Sequence, residues 1–288
     1  MKLLGSVVLV MAGLAVQGAS AQSLFNETWV EVPSKARVTG GTDAFDSNAG
    51  EHFRGEAAAS ALAAFGVLKV GGVARTDFYL ADGRDIFASY FVTDAHSNAS
   101  FSDYLTFDGQ PAGTHGVLAF DVLLRGDQVN TGAGPWGVAA SQWQFDLRVN
   151  GQPFQAYRHA TLAVNPTDGW TVTVVDSGDA FSLHRYEVPI VFGSPVSMNA
   201  KLEGWASALA YVYGADASFE ASYDLARSAY WGGIASVTVD GEAVAFGVSS
   251  ASGTDYRSSL IPVPEPASAA LLLLGLAALA AARRSLPR

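Results

Sequence analysis

Alternation of apolar and polar residues with a period of two dominates the middle of this chain. In Gln142–Val149, the residues Trp143, Phe145, Leu147 and Val149 share one face. Successive strand side chains point to opposite faces, so this pattern predicts a half-buried strand. Asn150-Gly151 follows, then Gln152–His159. An Asn-Gly pair between two such runs predicts a type I′ hairpin, because both turn positions need positive φ. Ile234–Val239, Asp240-Gly241 and Glu242–Val248 repeat the arrangement. Further strands are expected at Ala88–Thr93, Phe101–Phe107, Val117–Arg125, Thr161–Val164, Trp170–Val175, Arg185–Phe192, Met198–Val212 and Ala217–Tyr223. Turn clusters separate them at the short intervals of a sandwich or barrel.

Glu56–Phe65 is rich in alanine, the best helix former, while Gly66–Val73 has strand character. In a chain that is otherwise β, Ala and Ser also suit close positions between sheets, so strand is the preferred reading of both. Residues 22–260 are expected to form one antiparallel β-sandwich, jelly-roll-like. No internal repeat of propeller or solenoid length is visible.

Two segments break the alternation. Met1–Ala21 has one basic residue, Lys2, an apolar stretch from Leu3 to Val16, and Ala19-Ser20-Ala21. These are the parts of a signal peptide, with cleavage expected after Ala21. Ala267–Ala282 is an uncharged run of 16 residues followed by Arg283-Arg284. As a helix at about 1.5 Å per residue it spans roughly 24 Å, slightly less than the roughly 30 Å hydrocarbon core. Snorkelling arginines close that gap. Positive charge after the helix leaves its C-terminal side cytoplasmic and the body outside. Pro264 and Pro266 keep the junction extended.

Pro264-Glu265-Pro266, the Ala267–Ala282 run and the Arg283-Arg284 stop together resemble the PEP-CTERM sorting signal of Gram-negative bacteria. The resemblance implies recognition and processing by an exosortase, a membrane-embedded cysteine protease. Tyr230-Trp231-Gly232-Gly233-Ile234, Val237-Thr238-Val239 and Ser250-Ala251-Ser252-Gly253-Thr254-Asp255-Tyr256 are similar to a recurrent C-terminal hairpin of secreted β-sandwiches sorted this way. The implied domains are a signal peptide (1–21), the sandwich (22–260) and the sorting signal (261–288) with its transmembrane helix (267–282).

Charge separates the body from its ends. Residues 22–260 keep 13 of the 17 basic and 26 of the 27 acidic residues, a net charge of −13. Such a body repels nucleic acid and anionic membrane surfaces. The chain has no cysteine. Disulfides, thiolate catalysis and Cys-ligated metal are thereby excluded, and stability must come from burial and backbone pairing.

No catalytic motif, cofactor site or metal site stands out. Gly132-Ala133-Gly134-Pro135-Trp136-Gly137 has the G-x-G-x-x-G spacing, but a strand pattern follows where a dinucleotide site needs a helix; it reads as an inter-strand loop. His52, His96, His115, His159 and His184 include no i, i+4 pair and no H-E-x-x-H. Glu187 and Glu203, both in expected strands, are the carboxylate pair to consider for glycoside hydrolysis. Asp43, Asp46 and Asn48 form an oxygen-rich segment that reads as a solvated Asx-turn cluster, with calcium as the alternative. Asp176 and Asp179, around Gly178, read the same way. Of the six tryptophans, Trp143 is expected in the core and Trp136 exposed.

The expected protein is exported and held at the envelope by its C-terminal helix until an exosortase acts. Three functions fit: a non-catalytic surface or matrix protein, associated in this family with exopolysaccharide and biofilm; a secreted carbohydrate-binding module, calcium-dependent or not; and a secreted hydrolase.

Overall fold

A computed structural model describes residues 22–33, 35, 37–50, 52–79, 90–165, 169–176, 182–211 and 215–262. Every regular element among them is a strand. In chain order these are β1 (Ser23–Glu31), β2 (Val38–Gly40), β3 (Asp43–Ala49), β4 (Phe53–Ala64), β5 (Val67–Phe78), β6 (Tyr90–Asp108), β7 (His115–Leu124) and β8 (Asp127–Ala133). Then follow β9 (Gly137–Val149), β10 (Gln152–Asn165), β11 (Gly169–Asp176), β12 (Leu183–Val191), β13 (Pro195–Tyr211), β14 (Ala217–Val239), β15 (Glu242–Ala243) and β16 (Gly247–Ser250).

All pairing is antiparallel, in two eight-stranded sheets. Sheet A runs β11-β10-β9-β13-β6-β1-β2, with β16 also on β6; sheet B runs β12-β7-β14-β5-β4-β3, with β8 and β15 also on β14. Both Gly-containing turns form, but the return arm expected over Glu242–Val248 pairs with β14 only at Glu242–Ala243, because Gly247–Ser250 crosses to β6 of the other sheet. Asn150 (φ 49°) and Gly151 (φ 79°) join β9 to β10, and Asp240 (φ 52°) and Gly241 (φ 85°) join β14 to β15. The alanine-rich segment is strand β4, with Ala57, Ala59, Ala61 and Ala63 pointing inward. Gly66 belongs to the turn before β5 and not to the strand (φ 76°).

Several strands are longer than their local patterns. Phe101–Phe107 and the described part of Ala88–Thr93 are one strand, β6. Ala217–Tyr223 and Ile234–Val239 are the two ends of β14, whose pairing shifts register at bulges near Trp231–Gly233 and Ile234–Ser236. The bulges reset which residues face inward, which splits one strand into two apparent patterns. The segment holding Asp43, Asp46 and Asn48 is not a loop but the edge strand β3, paired to β4 along its whole length.

The sheets face each other across one continuous apolar core drawn from both. Much of it is alanine, and small residues let the sheets approach closely. Two aromatic side chains of β14 exploit this. Phe219 and Tyr223, four residues apart and on the same face, are each fully buried. Phe219 lies on Gly132 and Gly137; Tyr223 lies between Gly72 of β5 and Gly204 of β13. A Cβ at Gly132, Gly137 or Gly204 would overlap a ring. The Tyr223 hydroxyl reaches across to Ser97 of β6 (2.8 Å). A second polar tie joins the sheets where Thr76 of β5 donates to the Ala208 carbonyl of β13 (2.9 Å) and contacts the Thr93 hydroxyl of β6 (2.7 Å). Buried hydroxyls need partners, and these find them in the opposite sheet.

The body is closed by a clip near its C-terminal side. Asp103 of β6 is buried and accepts hydrogen bonds from the Tyr256 hydroxyl (2.9 Å), the Ser252 amide (3.1 Å) and the Ser252 hydroxyl. The Trp231 indole donates to the Tyr256 carbonyl (2.6 Å), meets the Tyr256 ring edge-on and stacks on Phe120. The Leu260 amide donates to the Trp231 carbonyl (2.9 Å). Burial, reinforced by the Asp103 carboxylate, raises the Tyr256 phenol above its usual range. The Trp-Gly-Gly and Ser-x-Ser-Gly-Thr-Asp-Tyr residues are therefore the two halves of one packed unit.

Two outcomes follow from this packing. Gly204→Ala should lower stability by about 1–3 kcal/mol, the range for overpacking, read as a lower Tm. Asp103→Ala should leave the Tyr256 hydroxyl buried without its acceptor, at about 1–3 kcal/mol, and speed hydrogen exchange at the Ser252 amide. Unchanged exchange there would show that the clip does not depend on Asp103.

Candidate functional site

The outer faces of the two sheets differ in chemistry. On sheet B, small residues of β4, β5 and β14 (Ala58, Ser60, Gly71, Val73, Ser222) floor a shallow trough of about 650 Å³ beside Phe45, which is 66% exposed. On sheet A, the outward residues are indoles, amides, carboxylates and hydroxyls. One cross-strand row reads Trp29 (β1), His96 (β6), Trp205 (β13), Gln142 (β9) and His159 (β10). The next reads Glu27, Asn98, Glu203, Gln144 and Tyr157 on the same strands. Between these rows lies a recess of about 180 Å³ lined by His96, Gln142, Gln144, His159, Glu203 and Trp205 among others.

One side of this recess is a fixed stack. The Trp29 and His96 rings are 5.2 Å apart and nearly parallel, and the Arg37 guanidinium sits 3.9 Å from the Trp29 ring centre. Arg37 is also bound to Glu31 (3.1 Å). Trp205, by contrast, makes no ring contact or hydrogen bond with any described residue. His159 contacts Thr161 (2.7 Å) and the Gln142 side-chain oxygen (3.4 Å), and the Gln142 side chain is exposed. Lys201 and Glu203 form an ion pair (2.5 Å).

Three successive outward residues of β6 carry strain of a polar kind. Asp94 Oδ1, His96 Nδ1 and Asn98 Oδ1 are each buried without a hydrogen-bond partner among the described residues. Burial holds the His96 imidazole below its usual range; Glu203 and Glu27 oppose the shift. Burial also pushes the Asp94 carboxyl above its usual range, against the Ser207 hydrogen bond, with Glu31 adding to the rise and Arg37 opposing it.

The residues singled out by sequence fall apart in space. Asp43 and Asp46 point to opposite faces of β3. Asp46 is held by Lys35 (2.9 Å) and its own strand amide at Ser47 (2.8 Å), and the Asn48 amide donates to the Pro33 carbonyl (2.8 Å). The Asp46 carboxyl is accordingly lowered, first by the Lys35 hydrogen bond. No group of three or more His, Asp or Glu suited to a metal ion occurs among the described residues. Glu187 and Glu203 project from the outer faces of different sheets, so they form no carboxylate pair. The Gly132–Gly137 segment links β8 to β9, and its end glycines accommodate Phe219. Trp136 is half-buried there, whereas Trp143 is buried as expected. The outward indoles are Trp29 and Trp205, whose strand positions gave no sign of a shared surface. Their cross-strand register, set by residues nearly 180 positions apart, brings them together. Asp179 and Gly178, the signal-peptide residues Ala19 and Ala21, and the sorting residues Pro264, Glu265, Pro266, Arg283 and Arg284 lie outside the described residues, as does the expected helix at 267–282. Among the described residues no helix is long and apolar enough to cross a membrane.

Asp94 gives a test of strain on this face. Its carboxylate lies above the ordinary carboxyl value in the folded protein, so the ionised form opposes folding at pH 7. That cost disappears as pH falls through the raised value toward the unfolded one, about 3.9. Asp94→Asn should therefore raise Tm at pH 7, with the gain shrinking as pH is lowered toward the unfolded-state value; a pH series of thermal melts reads both.

The PEP-CTERM protein-sorting motif matches residues 262–285. No curated protein matches the chain. The motif begins two residues beyond Leu260, the last residue seen bonded to the body, so the body adjoins its sorting segment without a long linker. This chain thus carries a PEP-CTERM sorting motif and is an exported, exosortase-targeted protein with an antiparallel β body.

Proposed function

We propose that the body is a non-catalytic surface or matrix protein. Its signal peptide is removed after Ala21, its helix at 267–282 anchors it transiently in the inner membrane, and an exosortase acts at the Pro264-Glu265-Pro266 junction. It then remains at the cell surface or in the extracellular matrix, associated with exopolysaccharide and biofilm. The sorting motif is the observation that carries this reading. The separation of the candidate carboxylates and of the oxygen-rich residues supports a binding or scaffolding role over hydrolysis. We further read the two facing sheets as a β-sandwich. Its jelly-roll-like character rests on β13 lying between β6 and β9, and β14 between β7 and β5, both long-range crossovers.

A second reading, a carbohydrate-binding module, is favoured by the indoles and amides on the outer face of sheet A. The two are compatible, since a matrix protein can be retained through a glycan.

Deleting Pro264–Arg288 should send the body to the periplasm or medium and abolish surface retention. Cell fractionation with an antibody to the body reads this directly. Unchanged surface localisation would defeat the proposal.

A further inference from the structure

We propose that the outer face of sheet A holds a glycan site for a neutral polysaccharide, with Trp205 as its stacking platform and His96 and Gln142 as its hydrogen-bonding groups. The inference deepens the surface-protein reading. It rests on that reading only for where the glycan is met.

Shape is the first argument. The recess at Trp205 holds about 180 Å³. At ~30 Å³ per water it has room for about six waters, the scale of a single sugar ring. It opens on the outer face of the sheet, where a longer chain can lie across the rows of polar residues.

Chemistry is the second. A sugar ring presents C–H groups on its faces and hydroxyls around its rim. Its partner must combine a flat π surface with donors and acceptors at the edge. Trp205 supplies a half-buried indole that lines the recess and makes no ring contact or hydrogen bond with a described residue. The neighbouring Trp29 ring is already engaged by His96 and by the Arg37 guanidinium, so it offers no second platform in the recess. The exposed Gln142 side chain lines the recess and carries an amide donor. The His96 ring lines the recess next to Gln142 and Trp205, placing a ring and an amide at the edge of the indole.

Charge is the third. Glu27, Glu31, Asp94, Asp146 and Glu203 face outward here against Arg37, Arg148 and Lys201, with Arg158 also lining the recess, on a body of net charge −13. Two of the basic groups are engaged in ion pairs within the face, Arg37 with Glu31 and Lys201 with Glu203. Stacking surfaces also bind single-stranded nucleic acid, but those rely on a positive groove. An acidic face disfavours nucleic acid and uronic or sulfated glycans alike. The burial that keeps His96 neutral fits the same uncharged ligand.

The test is a glycan array carrying neutral, uronic and sulfated saccharides, probed with the full-length chain in mild detergent. Binding to at least one neutral glycan is expected, with little signal on the anionic ones. Trp205→Ala should weaken that binding at least tenfold, His96→Ala should weaken it severalfold, and Trp205→Phe should restore part of it. Phe45→Ser, on the opposite sheet, should leave it unchanged. Thermal melts of each variant show whether it is folded, and Trp205→Phe keeps the test valid if the alanine variant is not. Absence of binding to every neutral glycan, binding confined to anionic ones, or neutral binding indifferent to Trp205 would each overturn the proposal. None of these results bears on sorting, which the tail deletion tests separately.

Discussion

The body depends on aromatic rings laid against glycine backbone between two sheets. Phe219 and Tyr223 need floors without side chains, and Gly132, Gly137, Gly72 and Gly204 provide them from other strands. Close approach then brings the Tyr223 hydroxyl to Ser97 and the Thr76 hydroxyl to Thr93 and Ala208. With alanine filling much of the remaining core, the sheets are held by fit over a narrow gap more than by bulky side chains. A chain without cysteine has no covalent substitute for that fit.

The same narrow packing determines what faces outward. In strands of period two, an inward set of alanines and aromatics commits the intervening residues to solvent. On β6 and β13 those residues are Asp94, His96, Asn98, Glu203 and Trp205. The surface carries unpartnered polar atoms and a raised carboxyl where a stability-optimised strand would carry threonine or lysine. Such costs concentrate at sites of function. At the far side, Asp103 and Trp231 fasten residues 252–260 to the body immediately before the sorting motif. The described body thus remains bonded as far as Leu260, two residues before the sorting motif begins.

The sequence by itself determined the elements that local chemistry controls. Asn150-Gly151 and Asp240-Gly241 announced hairpins because few residues tolerate positive φ. The 142–149 alternation announced a strand because one face must be dry. The tail announced its sorting motif because proline, an uncharged run and arginines act in linear order. Tertiary structure alone decided the rest. Residues 43–49 carry turn-forming side chains, yet pairing with β4 along the sheet edge makes them a strand. Bulges hid the continuity of β14, since each one resets the inward parity that a pattern search reads. Glycines 132 and 137, spaced like a nucleotide loop, are explained by a phenylalanine more than 80 residues away. The meeting of Trp29, His96 and Trp205 is a matter of register between distant strands, fixed by long-range backbone pairing that no local pattern encodes.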